Sequence, residues 1–144
     1  MAVEDEVRQA SEQFYAALNR TINGDPGPME EIWSHGSDVS VMHPFGGRML
    51  GWEEVRASWE QAAQAISDGR VSDHQRGVDE EEVVPIGDDA AYTVGTERGQ
   101  AKIGEELVGV DWRVTNIYRR EGGGWKMVHH HTDVSPALVE ALGL

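Results

Sequence analysis

Apolar residues recur at steps of three and four along the first part of the chain, which is the spacing of one face of an α-helix. The first apolar stripe comprises Val3, Val7, Ala10, Phe14, Ala17 and Leu18. A later stripe comprises Trp52, Val55 and Trp59. Between them, Pro28 precedes a short apolar pattern at 29–33, and proline is favoured at the start of a helix. The pattern therefore predicts two long helices with a short one between them.

From about residue 71 onward the apolar period changes to two, which indicates β-strands. The predicted long strands are 74–86, 90–99, 105–120 and 125–135. A brief strand at 39–43 comes earlier and is stopped by Pro44. Helices followed by consecutive strands predict an α+β fold, in which a curved, cone-shaped antiparallel sheet wraps around the N-terminal helices. No repeat or linker divides the sequence, so residues 1–144 are expected to form a single domain.

Composition narrows the function classes. The chain has 144 residues and no cysteine, which excludes disulfides and thiolate chemistry. Its formal net charge of -14 argues against nucleic-acid binding, which needs a basic surface. No apolar run approaches the ~20 residues of a membrane helix, and the acidic first residues do not resemble a signal peptide. We therefore expect a cytoplasmic protein without a membrane or nucleic-acid partner.

The segment 111–133 predicts a β-hairpin whose second strand ends in three consecutive histidines. One face of the first strand carries Trp112, Val114, Asn116 and Tyr118. Along the second strand, alternation places His129 and His131 on one face and His130 on the other. One face of this hairpin can therefore line a cavity while the other meets solvent or a partner.

These residues also carry a family resemblance. The patterns W-R-V-T-x-I-x-R and G-W-K-M-V-H-x-H, with FYAALNRTINGD, DVSVMHPFGG and LGWEEVRASWE upstream, resemble a SnoaL-like domain. That group belongs to the nuclear-transport-factor-2-like (NTF2-like) superfamily, together with ketosteroid isomerase, scytalone dehydratase and the calmodulin-dependent kinase II association domain. The resemblance covers about residues 4–133 and implies a cone-shaped pocket for a small organic ligand. Superfamily members include isomerases, dehydratases, cyclases and domains without catalysis, so the resemblance does not settle the function.

Similarity to the kinase association domain implies which residues line this pocket. The inward set would be Asn116, His130 and Thr132, with Trp112 and Tyr118 on the same face. The association domain carries arginines at the positions of Asn116 and Thr132, so anion binding is not implied for this chain.

The opposite strand register stays open from the sequence. It would place His129 and His131 inside, with Trp125 and Met127 as core residues. In the first register, Met127 lies on the outer face together with His129.

His43 is the other candidate catalytic residue. It ends the brief strand just before the turn at 44–47, and histidine can serve as acid, base or hydrogen-bond donor near neutral pH. An enzyme of the isomerase, dehydratase or cyclase type would use His130 as its proton carrier. Asn116, His43 and Tyr118 would then polarise a carbonyl. The chain lacks the aspartate that the family's isomerases place at this short strand. The alternative interpretation of His43 is that it binds local backbone groups and does no chemistry.

The alternative function is a non-catalytic ligand-binding or assembly domain. A further hypothesis is a metal site built from His43, His129 and His131, similar to the H-x-H strands of cupins. It is weakened because no glutamate follows at a suitable spacing and stable sites need three or four ligands. We therefore expect no metal and no cofactor. We also expect a homodimer formed through the outer sheet face, which carries Arg113 and Thr115.

Overall fold

The computed structural model describes residues 2–67 and 71–141, which form helices followed by strands as the sequence predicts. The helices are α1 (Val3–Thr21), α2 (Met29–Ile32), α3 (Trp52–Ser67) and α4 (Pro136–Ala141). The strands are β1 (Ser40–His43), β2 (Gly46–Leu50), β3 (Val71–Ile86), β4 (Ala90–Ile103), β5 (Glu106–Glu121) and β6 (Gly124–Thr132). The predicted α+β fold is confirmed. None of the helices in these ranges is long and apolar enough to cross a membrane.

The strands form one open sheet in the order β2-β1-β6-β5-β4-β3. All neighbouring strands are antiparallel except β1 and β6, which are parallel and pair Val41 with His130. Strand β2 was not predicted, because the glycines that follow Pro44 indicated only a turn. Gly46 and Gly47 do adopt positive φ angles of 103° and 87°, but the chain pairs back onto β1 through the same residues. Glycine allows this tight reversal because it lacks a Cβ atom.

A β-bulge changes the alternation of side chains along β6. Ile117 pairs with His129 and Tyr118 pairs with Met127, so Val128 is an extra residue without a partner on β5. Met127 and His130 are both fully buried, although they lie three residues apart. The prediction that Met127 lies on the outer face with His129 is therefore wrong. A regular strand cannot bury both residues on one face, whereas a bulge resets the alternation.

The inner face of the sheet packs against the helices and contains the main core. From α1, the side chains of Val7, Phe14 and Leu18 are fully buried, and Trp59 of α3 reaches the same cluster. A smaller cluster at the other end of the inner face joins α4 to β5. It contains Val110, Trp112 and Leu138, with Phe45 packed against it. The core therefore surrounds the inner residues of β5 and β6.

Strands β3 and β4 approach each other unusually closely at Gly99. A Cβ atom on Gly99 would lie 1.9 Å from the carbonyl oxygen of Gln75, which is far inside van der Waals contact. Gly99 pairs with Arg76 across the two strands. The close approach fixes the backbone of Arg76 beside β4, and the side chain of Arg76 enters the protein next to Glu97.

Candidate functional site

A fully buried carboxylate, Glu97 of β4, lies at the centre of the polar residues inside the protein. Its Oε1 accepts a hydrogen bond from Trp112 Nε1 at 2.8 Å and one from Arg76 Nη1 at 3.4 Å. Its Oε2 accepts a hydrogen bond from the Tyr15 hydroxyl at 2.8 Å. Three donors and a positive charge thus compensate a carboxylate that would otherwise be very costly to bury.

Arg76 is held by packing as well as by charge. Its guanidinium lies over the ring of Trp112, 4.8 Å from the ring centroid, which is a favourable cation–π distance. Burial lowers the pKa of Arg76, while the neighbouring Glu97 opposes that shift. An arginine keeps its proton under such conditions because its ordinary pKa is above 12. The charges of Arg76 and Glu97 therefore offset each other inside the protein.

A chain of hydrogen bonds connects Glu97 to His130. The amide nitrogen of Asn116 donates to Tyr15 Oη at 3.3 Å, and Tyr15 in turn donates to Glu97. Burial, followed by the nearby Glu97, raises the pKa of Tyr15, so its hydroxyl remains a proton donor. The amide oxygen of Asn116 accepts from His130 Nδ1 at 2.6 Å. Since an amide oxygen can only accept, the proton of a neutral His130 is assigned to Nδ1.

His130 therefore presents a proton-free Nε2 inside the protein. This atom is buried and has no hydrogen-bond partner among the described residues. It lies 3.9 Å from Glu97 Oε2, a separation at which protonated His130 would form an ion pair. Burial is the main cause that lowers the pKa of His130, and the positive charge of Arg76 adds to it. The pKa of His130 therefore lies well below its ordinary value, so His130 is neutral at pH 7 and Nε2 is a proton acceptor.

His43 is held by a separate interaction with α3. Ser58 Oγ donates its single proton to the carbonyl oxygen of Val55 at 2.6 Å. The 2.9 Å contact between His43 Nε2 and Ser58 Oγ must then be donated by His43, which assigns the proton of neutral His43 to Nε2. Burial is the first cause that lowers the pKa of His43, followed by His130 and Arg76. His43 is thus neutral and fixed in orientation.

Aromatic rings fill the space around the two histidines. Trp59 contacts His43 edge-on with ring centroids 4.7 Å apart, and its centroid lies 6.0 Å from that of His130. Phe14 lies on another side of His130 at 5.0 Å, and Phe45 stacks on His43 at 4.6 Å. The surroundings of the two histidines are consequently apolar apart from a few oriented polar atoms.

The structure brings together some of the residues singled out from the sequence and separates others. Asn116, His130 and Trp112 belong to one hydrogen-bonded network around Glu97. Thr132 is buried on the same face, but its hydroxyl donates a long, 3.5 Å bond to the backbone oxygen of Met42. Tyr118 is also buried, and its hydroxyl has no hydrogen-bond partner in the part of the chain that the structure describes.

The outer face of β6 holds the other two histidines of the triplet. His129 Nδ1 lies 2.7 Å from Ser40 Oγ, and the rings of His129 and His131 are 5.8 Å apart. Burial lowers the pKa of His129, with His131 as a second cause. Within residues 2–67 and 71–141, no three histidine, aspartate or glutamate side chains are arranged to hold a metal ion. That the protein uses no metal remains a prediction.

Sequence reasoning missed Tyr15, Arg76 and Glu97. Tyr15 lies next to Phe14 at the edge of the predicted apolar stripe, and Arg76 has no local signal at all. Glu97 has a weak local signal, because it lies an even number of residues after Ala91 on β4. Both residues therefore point to the inner face, and both are buried. A carboxylate at a position with the period of core residues indicates either a register error or a compensated buried charge.

Comparison with known proteins agrees with this architecture. Residues 7–136 match the sequence profile of the SnoaL-like domain. The chain has no match among proteins with curated functions.

Solved structures provide closer comparisons. The chain is 27% identical to a Streptomyces avermitilis protein of the NTF2-like family that is provisionally identified as a dehydratase, with a TM-score of 0.76 over 92% of this chain and 95% of the other. It is also 27% identical to a Thiobacillus denitrificans protein provisionally identified as a calcium/calmodulin-dependent protein kinase type II association domain, with a TM-score of 0.66 over 89% and 94%. A ketosteroid isomerase-like protein from Erwinia carotovora atroseptica is 18% identical, with a TM-score of 0.70 over 92% and 97%, and this likeness concerns the fold alone.

Proposed function

Because the chain belongs to the SnoaL-like domain family, we propose that it binds a small organic molecule beside His130 and acts on it as a cofactor-independent dehydratase, isomerase or cyclase. The observation that carries this proposal is the buried, proton-free Nε2 of His130, which has no partner among the described residues. A general base needs a free lone pair whose orientation is fixed, and the bond from Nδ1 to Asn116 provides that orientation.

The proposed reaction begins when His130 Nε2 removes a proton from a carbon next to a carbonyl group. The electron pair of the broken C–H bond moves onto the carbonyl oxygen and gives an enolate. In a dehydration, the carbonyl re-forms and the electron pair of the enolate makes a C=C bond as the hydroxyl on the next carbon leaves, taking the proton from His130 to depart as water. In an isomerisation, the same proton returns to a different carbon. Both sequences balance without an oxidant, a reductant or a second substrate.

Neighbouring groups support the charged states of this reaction. When His130 becomes an imidazolium, its positive charge is stabilised by the opposite charge of Glu97, whose Oε2 lies 3.9 Å from Nε2. Asn116 keeps accepting from Nδ1 in both protonation states. The buried Nε1 of Trp59 has no partner among the described residues, and the Trp59 ring lies 6.0 Å from that of His130, so this donor can stabilise a developing oxyanion.

The choice of a dehydratase as the first candidate rests on one comparison as well. The Streptomyces avermitilis protein provisionally identified as a dehydratase is 27% identical over almost the full length of both chains.

Proton exchange provides a direct test. Uncharged cyclic ketones and β-hydroxyketones are incubated with the protein in D₂O and followed by NMR for deuterium uptake next to the carbonyl and for loss of water. We expect His130→Ala to lower the rate by ~10²–10⁴-fold, as for other general acid–base groups. The matched control is His131→Ala, which removes an exposed histidine from the neighbouring position. A folded His130→Ala protein that retains the wild-type rate would disprove the role of His130.

The second candidate is a non-catalytic assembly domain that forms homodimers through the outer sheet face. Val94 is 38% exposed on this face, beside a groove of about 440 Å³ that Arg113, Thr115 and His131 help to line. The Thiobacillus denitrificans protein, provisionally identified as a kinase association domain, favours the same possibility. Dimer formation and catalysis are compatible, because the outer face lies on the other side of the sheet from His130.

A further inference from the structure

A small cleft opens between α3 and the segment that leads into α2. Its volume is about 110 Å³. Its lining includes Met29, Glu30, Trp52, Arg56, Trp59 and Glu60. The floor is apolar, and the charged side chains belong to the rim. The cleft is separate from the groove on the outer sheet face, because its lining residues all precede β3.

Trp59 connects this cleft to the two buried histidines. The same indole that lines the cleft packs edge-on against His43 and lies 6.0 Å from the ring of His130. Only 2% of Trp59 is exposed, so the indole fills the space between the cleft and the histidine rings. Any molecule that enters from the cleft must therefore contact Trp59 before it reaches His130.

His130 Nε2 itself is covered by its surroundings. Phe14 packs against its ring, and Trp59 lies on the side towards α3. Phe14 and Trp59 both belong to the main core cluster, but only Trp59 of the two also lines the cleft. Trp59 is therefore the ring next to His130 that a molecule in the cleft can contact.

We propose that this cleft binds the ring of an uncharged cyclic substrate and that Trp59 is the residue that selects it and admits it to His130. The role of the cleft as a substrate subsite rests on the function proposed above. The binding of a ring in the cleft does not, because it depends only on the cleft and on Trp59.

The size of the cleft determines the class of ligand. A dry engineered cavity of ~150 Å³ holds one benzene molecule, so a cleft of about 110 Å³ that is open on one side admits roughly one six-membered ring. Trp52 stacks on His35 on one face, with ring centroids 4.3 Å apart, and its other face and the buried Trp59 favour a flat, apolar ring over a branched chain.

Charge and hydrogen bonding narrow the class further. The rim carries the carboxylates Glu30 and Glu60, and Arg56 is already paired with Glu53 at 3.7 Å and with Glu60 at 4.0 Å. An anion is therefore disfavoured at the rim, as it is by the net charge of -14. The buried Nε1 of Trp59 has no acceptor among the described residues, and a ring oxygen substituent supplies one. A phenol or a cyclic ketone has this combination of features.

The test uses phenol as the probe and the indole N–H signals of the tryptophans as the readout. Uniformly ¹⁵N-labelled protein is titrated with phenol at pH 7, and the signals are assigned with Trp→Phe variants. We expect the signals of Trp59 and Trp52 to shift along saturable curves with one common Kd. Trp59→Phe, which keeps an aromatic ring but removes the donor, is expected to weaken phenol binding at least ~5-fold, as judged by the Trp52 signal.

Trp125→Phe is the matched control. Trp125 also has a buried Nε1 without a partner among the described residues, but its ring packs under Arg120 and does not line the cleft. Its replacement should leave the Kd for phenol unchanged. Shifts that do not saturate, or an unchanged Kd in Trp59→Phe, would overturn the proposal.

His130→Ala separates this inference from the proposed function. Saturable phenol shifts at Trp59 together with unchanged proton exchange in His130→Ala would refute the catalytic role of His130 and leave the subsite standing. Loss of proton exchange in His130→Ala with no saturable shift at Trp59 would refute the subsite and leave the catalytic role standing.

Discussion

The side-chain oxygen of Asn116 accepts a hydrogen bond from His130 Nδ1 at 2.6 Å. Both residues lie in the core and are fully shielded from solvent. This contact determines the tautomer of His130, because Asn116 is itself oriented by the bond that its amide nitrogen donates to Tyr15. One pair of residues therefore decides which histidine nitrogen is available for chemistry.

The first prediction concerns this tautomer. We expect the ¹⁵N spectrum of the wild-type protein to show His130 neutral at pH 7, with Nδ1 protonated and Nε2 bare. Asn116→Leu removes the acceptor of the His130 Nδ1 proton, so either ring nitrogen can then carry the proton. We expect the free energy of unfolding to fall by about 1 to 3 kcal/mol, because a buried donor loses its partner. Thr115→Val, on the outer face of the same strand, should leave the His130 signals unchanged. A wild-type His130 protonated at Nε2 would contradict the assignment.

The second prediction concerns Glu97 and Arg76. Glu97→Gln removes the buried carboxylate that pairs with Arg76 at 3.4 Å, and we expect a loss of about 3 to 5 kcal/mol in the free energy of unfolding by urea. Arg76→Met combined with Glu97→Gln should recover part of this loss, since it removes the buried charge. Asp79→Asn, in an exposed ion pair with Arg98, is the control and should leave the unfolding midpoint unchanged. Additive losses in the double variant would show that the two charges do not interact.

The third prediction concerns pH. His43 and His130 both have pKa values well below the ordinary 6.5 in the folded protein, mainly because of burial. Below pH ~6.5 the unfolded chain takes up protons that the folded protein does not, so stability must fall as the pH falls. Each buried histidine contributes a slope of up to ~1.4 kcal/mol per pH unit in that range.

The measurement is thermal unfolding between pH 5 and 8. We expect the midpoint to decline below pH ~6.5, and we expect the decline to be shallower in His130→Gln and in His43→Gln. An equally steep decline in both variants would show that neither histidine is held neutral.

The fourth prediction concerns assembly. Light scattering after gel filtration should show a homodimer at micromolar concentration. Val94→Lys places a charge on the outer sheet face and should yield monomers. Ile86→Lys is the matched control, because Ile86 is also exposed but lies at the end of β3, next to the turn into β4. A monomeric wild-type protein, or a Val94→Lys dimer, would exclude this interface.

The parts of this structure that follow a regular period were accessible from the sequence. The apolar stripe of α1 and the alternation of Trp112, Val114 and Asn116 along β5 each appear in the structure as buried faces. Such patterns can be recognised because every second side chain of a strand, or every third to fourth of a helix, is buried away from solvent.

The parts that break a period were not accessible. The bulge at Val128 depends on how β6 pairs with β5. Strand β2 begins at Gly46, a residue typical of a turn, which nevertheless pairs with His43 of β1. The network around Glu97 joins residues 15, 76, 97, 112, 116 and 130. Contacts at these separations are set by the packing of five different elements, and no local pattern encodes them.

The bulge at Val128 has a consequence for comparing this chain with others. A relative that lacks one residue at this point would have a regular strand, yet it would still bury the counterparts of both Met127 and His130. Aligned without a gap from Trp125 onward, its inner histidine would fall opposite His129. The residue of a relative that corresponds to His130 should therefore be identified by its partners on the neighbouring strands, which are Val41 and Asn116 in this chain. Its position in a sequence alignment is not a sufficient guide.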